Sequence, residues 1–301
     1  MRPAVSSTIL HPNATSSEGS PTPFEDHILK GLDVRYPPLT RSYKGMFPFR
    51  LATTSYIYPD RIIPNVTALA PFLDEVELVL FETEGQDNYP DEVELRDLMS
   101  FCLSGKVGFN IHLPVDLFLG DRSEEVRAKG ISIVRRVTER TFCLNPSVYI
   151  LHFDLRNNNG QEETDIQSWR KRILRSAEEM MEWGIELKRI SIETLSYPFE
   201  WIEDMITEFG FSICLDIGHM LIYGQDLRGY LKKYLPQTSI IHLHGIENGV
   251  DHLGIDRLNG KIVDLILSEL QNFTGILSVE VFSFDDLKNS LEVLEQRWGK
   301  R

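Results

Sequence analysis

The residues best suited to chemistry in this chain sit at the ends of short apolar runs. Phe211-Ser212-Ile213-Cys214-Leu215-Asp216-Ile217-Gly218-His219 reads as a buried parallel strand that stops on an acid and an imidazole. Asp216 and His219 offer oxygen and nitrogen donors suited to a divalent metal, and Gly218 lets the backbone turn sharply between them. An acid in that place also serves as a helix N-cap, so the pattern gains force only by repetition. The chain does repeat it, in Asn110-Ile111-His112-Leu113-Pro114, Leu151-His152-Phe153-Asp154, Ser191-Ile192-Glu193-Thr194, His242-Leu243-His244-Gly245 and Val279-Glu280-Val281. Of eight histidines, five (His112, His152, His219, His242, His244) fall at or just past such ends, and His252 follows the His242 run. A lone histidine in a strand is usually a satisfied core residue. Glu280 between valines, like Glu193 between Ile192 and Thr194, is costly to bury unless paired or metal-bound. Like charges crowded together repel unless a cation holds them, so the chemistry expected here is metal-assisted.

The elements that must position these groups alternate along the chain. Strand candidates are Arg50 to Thr54, Glu75 to Phe81, Lys106 to Ile111, Val148 to Phe153, Arg189 to Glu193, Phe211 to Asp216, Ile240 to His244 and Ile276 to Phe282. Amphipathic stretches between them predict helices over Ile63 to Phe72, Asp91 to Leu103, Glu124 to Thr141, Asp165 to Trp183, Phe199 to Phe209, Leu227 to Tyr234, Gly260 to Asn272 and Phe284 to Trp298. Eight βα units predict an α/β fold, a (β/α)8 TIM barrel, whose active site lies at the C-terminal strand ends. An open doubly wound sheet is the alternative, but Ala52-Thr53-Thr54-Ser55 after the first run carries no phosphate-binding glycines.

With 301 residues and 42% hydrophobic side chains, the chain is long enough for one large core. The expected domains are a loose N-terminal leader over residues 1–46, rich in Ser, Pro, Thr and Asn, and a barrel over residues 47–301. His11 and His27 fall in the leader and are expected to be solvated. No segment reaches the length of a signal-peptide core or a membrane helix, and Cys102, Cys143 and Cys214 lack C-x-x-C pairing, so a soluble cytoplasmic protein with reduced core cysteines is expected. The 31 basic and 45 acidic residues leave a net charge of -14, which weighs against nucleic acid and anionic membrane as partners.

The series Glu193, Asp216, His242, Glu280 resembles the metal core of the xylose-isomerase-like barrel superfamily, which includes sugar isomerases, epimerases and the endonuclease IV family (AP endonuclease family 2). The likeness covers about Phe49 to Trp298. His112, His152, His219 and His252 look like the further ligands with which the endonuclease IV branch holds up to three zinc ions around a phosphodiester. That resemblance implies one metal on His112, His152 and Glu193, a second on Glu193, Asp216, His242 and Glu280, and a third on His219 and His252. The branch carries an aspartate two residues before the His252 position, where this chain has Val250 with Asp251 adjacent. Within the superfamily, Phe49 to Val66, Asp74-Glu75-Val76-Glu77-Leu78, Asn110 to Pro114 and Asp251-His252-Leu253 resemble the cobamide-remodelling phosphodiesterases of bacteria (the CbiR family). That family hydrolyses the nucleotide-loop phosphoester of cobamides such as cobalamin and releases cobinamide.

The expected cofactor is accordingly two to three divalent ions, of zinc, manganese, iron or cobalt, with Glu193 as a bridge beside the attacking water and His219 as a second catalytic residue. Tyr56, Tyr58 and His244 are the expected substrate contacts, with Phe118 as a further apolar support, although the tyrosines would equally pack the barrel lip. The partner expected is a small-molecule cobamide. A sugar isomerase or epimerase would need only the four core residues, a DNA-repair endonuclease is disfavoured by the charge, and a non-catalytic binding barrel would hold metal without turnover.

Overall fold

The computed structural model describes residues 36–83 and 86–300; the expected leader up to residue 35, with His11 and His27, lies outside the described residues. Eight strands form a closed barrel: β1 (Arg50–Thr54), β2 (Glu75–Val79), β3 (Gly108–His112), β4 (Tyr149–Leu151), β5 (Ile190–Glu193), β6 (Ser212–Asp216), β7 (Thr238–Leu243) and β8 (Ile276–Val279). Each strand pairs in parallel with its neighbours in sequence, and β1 closes on β8 from Arg50↔Ile276 to Thr53↔Val279. Helices α1 (Ile62–Leu69), α2 (Glu92–Leu103), α3 (Glu124–Thr141), α4 (Ile166–Met181), α5 (Glu203–Phe209), α6 (Ile217–Ile222), α7 (Leu227–Tyr234), α8 (Gly260–Glu269) and α9 (Phe284–Trp298) connect them. This is the (β/α)8 barrel that the alternation predicts.

Local chemistry sets the helix starts. Asp91 accepts from Val93 N and Glu94 N, and Glu94 reaches back to Asp91 N at 3.0 Å, a reciprocal capping box that opens α2. Ser123 and Ser283 cap α3 and α9 with their hydroxyls. Trp169, Ile173, Ala177 and Met180 recur at helical spacing along α4 and bury one face of it against the barrel.

The barrel interior explains why the polar strand ends converge. Ala52, Ile150, Cys214, Ile240 and Ile276 pack together in one buried cluster. Side chains in a strand alternate faces, so residues two positions further along point the same way. Two residues beyond Ile150, Cys214 and Ile240 stand His152, Asp216 and His242, and four beyond Ile276 stands Glu280. The register sets Asp216 opposite His242, while Glu193 stands opposite Cys214, one same-face step before Asp216.

Several boundaries differ from the sequence expectation. The second and eighth runs, expected to reach Phe81 and Phe282, end as strands at Val79 and Val279, because the chain turns outward there; Val281 N donates to Val279 O, and Phe81 and Phe282 are exposed. Residues 36–46, expected as part of the leader, pack on the barrel: Leu39 and Tyr43 are buried, Tyr43 N donates to Phe72 O at 2.8 Å, and Tyr36 stacks on Tyr58 at 4.8 Å. Of the cysteines, all free, Cys214 lies in the core and Cys102 is half-buried, whereas Cys143, expected in the core, is exposed just beyond α3. Among the described residues, no helix is long and apolar enough to cross a membrane.

Candidate metal centre

Glu193, at the end of β5, is the hub of the barrel mouth. Its Oε2 lies 2.9 Å from His152 Nε2 and 3.3 Å from His112 Nε2, and its Oε1 lies 3.4 Å from His219 Nδ1. His112 Nδ1 sits 2.8 Å from the Leu113 carbonyl, which only accepts, so Nδ1 carries the proton and Nε2 is free to point at Glu193. Asp216 Oδ2 is 3.3 Å from His219 Nδ1 and 3.8 Å from His242 Nδ1, and Glu280 Oε2 is 3.2 Å from His242 Nδ1. His252, at the edge of the group, places Nδ1 3.6 Å from Glu280 Oε2. Thus all eight residues expected as ligands from the sequence are brought together at one rim.

Sequence reasoning missed a ninth member of this assembly. Glu77, on β2, is fully buried, and its Oε2 lies 3.2 Å from His242 Nε2, on the side of the ring away from Glu280. Such a carboxylate fixes the tautomer of a ligating histidine, leaving Nδ1 to face the other carboxylates. The signal was an acid at alternate positions, Glu75 and Glu77, in a strand whose other face is Val76 and Leu78. Glu75 does not share this role, since Arg50, Ser147 and Asn110 all donate to it at the other end of the barrel.

Asp216 and His244 illustrate a different division of labour. Asp216 caps α6, its Oδ1 accepting from His219 N at 2.6 Å. The backbone N–H of His252 donates to His244 Nδ1 at 3.0 Å, which places the His244 proton on Nε2, 3.2 Å from Asp216 Oδ1. His244 therefore faces Asp216 rather than the mouth; it is fully buried and does not line the cavity, in contrast to its expected role as a substrate contact. The hairpin that delivers His252 pairs 245–247 with 250–253, turning at Asn248 and Gly249, both with positive φ, and His252 itself takes φ 54°. Gly218 is required where α6 passes over His244, because a Cβ there would collide with the imidazole.

Electrostatics point to a cation. Glu77, Glu193, Asp216 and Glu280 are all buried, and unscreened charges of one sign about 4 Å apart repel by roughly 4 kcal/mol at an effective dielectric of 20. Burial raises the carboxyls and lowers the imidazoles, yet mutual attraction outweighs it. Histidine neighbours hold Glu193 and Asp216 well below the usual carboxylate range and Glu280 at about 2. Against the same burial, Glu193 lifts His112 to about 9, and Asp216 with Glu193 lifts His219 to about 10. Protons on the imidazoles thus stand in for positive charge. Both oxygens of Glu77, Asp216 Oδ2, Glu280 Oε2, His219 Nδ1 and both nitrogens of His242 are buried without a hydrogen-bond partner, a concentration of unmet donors and acceptors that proteins rarely tolerate. Mixed imidazole and carboxylate donors, with sets such as His112, Glu193, His242 and Glu193, Asp216, His219 within 4.8 Å, fit a transition-metal ion.

The ligand group opens into a cavity of about 410 Å³, within the range of small-molecule sites. Beyond the polar hub it is lined by Val115, Arg156, Leu195, Tyr223 and Phe282, none expected from the sequence. The expected contacts Tyr56, Tyr58 and Phe118 do not line it. Tyr58 is buried, donates to Pro37 O at 2.7 Å, and joins the 36–46 segment to the barrel. Tyr56 accepts from Asn88 Nδ2 at 2.7 Å and lines a separate depression with Asp60 and Arg61.

Residues 73–297 match the family model described as xylose isomerase-like TIM barrel. The chain belongs to that family. Among solved structures, a D-tagatose 3-epimerase-like protein superposes with TM-score 0.68 at 19% identity over 84% of this chain and 98% of its own. Endonuclease IV from Thermus thermophilus gives 0.60 at 16% identity over 84% and 100%. The IOLI protein with a bound zinc atom gives 0.61 at 14% over 83% and 96%. No curated protein matches the sequence.

Proposed function

We propose that this chain is a metal-dependent phosphodiesterase that hydrolyses the nucleotide-loop phosphoester of cobamides and releases cobinamide. The observation that carries the reading is the pair of extra imidazoles, His112 and His152, whose Nε2 atoms converge on one oxygen of Glu193 while His219 faces the other. The four residues Glu193, Asp216, His242 and Glu280 suffice for one ion; the additional histidines make a second position. Endonuclease IV, a structural neighbour, is by name a nuclease, and the neighbour with a zinc atom supports zinc as the ion here.

His112, His152 and Glu193 would hold one ion, and Glu193, Asp216, His242 and Glu280 the other. We assign two ions rather than three, because Asp216 Oδ1 is already taken by His219 N and faces His244 Nε2, and the position two residues before His252 is Val250 rather than an acid. Bound there, the ions would make a water acidic enough to attack near neutral pH and offset charge on the phosphoryl oxygens. Glu193 fixes the spacing of the two positions. His219 lines the cavity and holds a proton at Nδ1, facing Glu193 and Asp216, from which the leaving oxygen can be protonated. Exposed Val115, Tyr223 and Phe282 at the mouth suit a substrate with a broad apolar face, such as a corrin. The substrate is a small molecule, the setting cytoplasmic, and nucleic acid and membrane are not partners, consistent with the net charge of -14.

An isomerase or epimerase acting on a sugar is the second reading, favoured by the epimerase-like neighbour and the shared four-residue core. Zinc-loaded protein should convert cobalamin to cobinamide, followed by chromatography, and leave ketoses unchanged. Epimerisation of a ketose without cleavage of any cobamide would establish the second reading instead.

A further inference from the structure

The wall of the cavity carries one guanidinium, and it is held in place by its surroundings. Among the described residues that line the cavity, Arg156 is the only lysine or arginine; the other ionisable groups are acids, histidines and Tyr223. It stands two residues past Asp154, where the chain leaves β4 beside the position of His152. Asp154 Oδ2 accepts from Arg156 Nη2 at 2.6 Å, and Oδ1 accepts from Nε at 3.1 Å and from the Arg156 backbone N at 2.8 Å. The fork is thereby engaged along one edge, while the arginine side chain remains 58% exposed and Nη1 is not used by Asp154.

The loop behind it is built to be stiff. Arg156 bridges Glu162 across a short antiparallel turn, and Asn157 N donates to Gln161 O at 2.9 Å. Glu163, next to Glu162, accepts from Arg122 through Nε at 2.9 Å and Nη2 at 2.6 Å, and from Arg172 Nη2 at 2.6 Å. Asp121 accepts from Asn158 N at 2.9 Å, and Trp169 Nε1 donates to Asp154 O at 3.0 Å. Two of the loop's neighbouring helices, α3 through its preceding turn and α4 through Trp169 and Arg172, therefore fix the segment that carries Arg156. A guanidinium orphaned on a mobile loop would lose much of its binding energy to ordering; this one is ordered beforehand.

We propose that Arg156 is the anion-binding residue of the site, donating through its free edge to a non-bridging phosphoryl oxygen of the substrate as the phosphorus sits at the metal positions. This rests on the phosphodiester reading and sharpens it. A neutral sugar would offer only dipoles to the Nη1 edge that Asp154 leaves unused, whereas a diester monoanion supplies a charged acceptor for it. Asp154 positions the fork and does not cancel it, because the arginine side chain stays 58% exposed and Nη1 is not taken by Asp154.

Calorimetric titration of the zinc-loaded full chain with inorganic phosphate tests the assignment, with bound zinc measured on the same samples. Arg156→Met should weaken phosphate binding roughly tenfold to a hundredfold, the worth of a charge-assisted hydrogen bond, with zinc content unchanged. Arg156→Lys, which keeps the charge but loses the fork, should fall between the two. With cobalamin as substrate, the same Met variant should raise KM more than it lowers kcat. Phosphate affinity unchanged in Arg156→Met, with zinc retained, overturns the role of Arg156 and leaves the phosphodiester reading standing. A zinc-loaded wild type that binds no phosphate overturns the phosphodiester reading, and this inference with it.

Discussion

At the scale of single residues, the candidate site is a set of buried acids and imidazoles that neutralise one another, with a donor set that fits a metal ion. Sequence patterning was sufficient to find Glu193, Asp216, His219, His242 and Glu280, because each falls at or just past the end of a strand. It could not find Glu77, whose role depends on which side of the His242 ring faces β2, a cross-barrel relation that no local spacing encodes. It kept His244 apart from the ligands but expected it to touch substrate; the His252 N–H, eight residues away, turns its Nδ1 inward instead. We expect Glu77→Ala to weaken metal binding by roughly tenfold to a hundredfold in chelator competition, with Glu77→Gln less affected because its amide oxygen still faces His242 Nε2. Unchanged affinity in Glu77→Ala would remove it from the metal's support.

The same residues set a pH dependence. His112 and His219 have folded-state pKa values of about 9 and about 10, above the ordinary histidine value of 6.5. A raised folded pKa contributes stability that is complete below the unfolded value and is lost as pH rises through the folded value. Metal-free protein should therefore melt at lower temperature as pH is raised from neutrality through 9 to 10, while zinc-loaded protein, in which a cation takes the place of the His112 proton, should lose less over the same range. Thermal melts of both forms check this; parallel losses would mean that the imidazoles are not protonated in the metal-free state.

At the scale of elements, the sequence located every barrel strand but blurred the pieces that decorate its mouth. Helix α6 runs only from Ile217 to Ile222, too short for a periodic signature. The hairpin that carries His252 had a legible signal in Asn248-Gly249, a pair suited to tight turns with positive φ. Gly218 shows why α6 must be read in three dimensions. Replacing an exposed helical glycine by alanine commonly stabilises by about 0.5–1 kcal/mol. Here the added methyl meets the His244 ring, and overpacking of about 1–3 kcal/mol should win. Gly218→Ala is expected to lower unfolding free energy in denaturant titrations and to reduce bound zinc by displacing Asp216. A stabilised, fully loaded variant would contradict the close packing of α6 on His244.

At the scale of the whole molecule, barrel closure does the positioning: parallel pairing brings six strand ends to one rim, and interior apolar residues aim the next same-face side chains into the mouth. The boundary of the barrel was less legible, because residues 36–46 read as polar leader, and their few apolar side chains reveal themselves only by packing. Burying side chains of the size of Leu39 and Tyr43 is worth about 1.5–3 kcal/mol each. A chain lacking residues 1–44 should accordingly melt on the order of 10 °C below one lacking residues 1–35. Equal melting temperatures would mean that the 36–44 segment adds nothing to the barrel.

The central claim is that the metal positions at the mouth serve hydrolysis at phosphorus. It is tested most directly by incubating zinc-loaded protein with cobalamin in water enriched in the heavy oxygen isotope and weighing the phosphoryl product by mass spectrometry. The account predicts one heavy oxygen per product phosphate, dependent on zinc and lost in Glu193→Gln. A product without heavy oxygen on phosphorus, or no cleavage by fully loaded protein that epimerises a ketose, would contradict it.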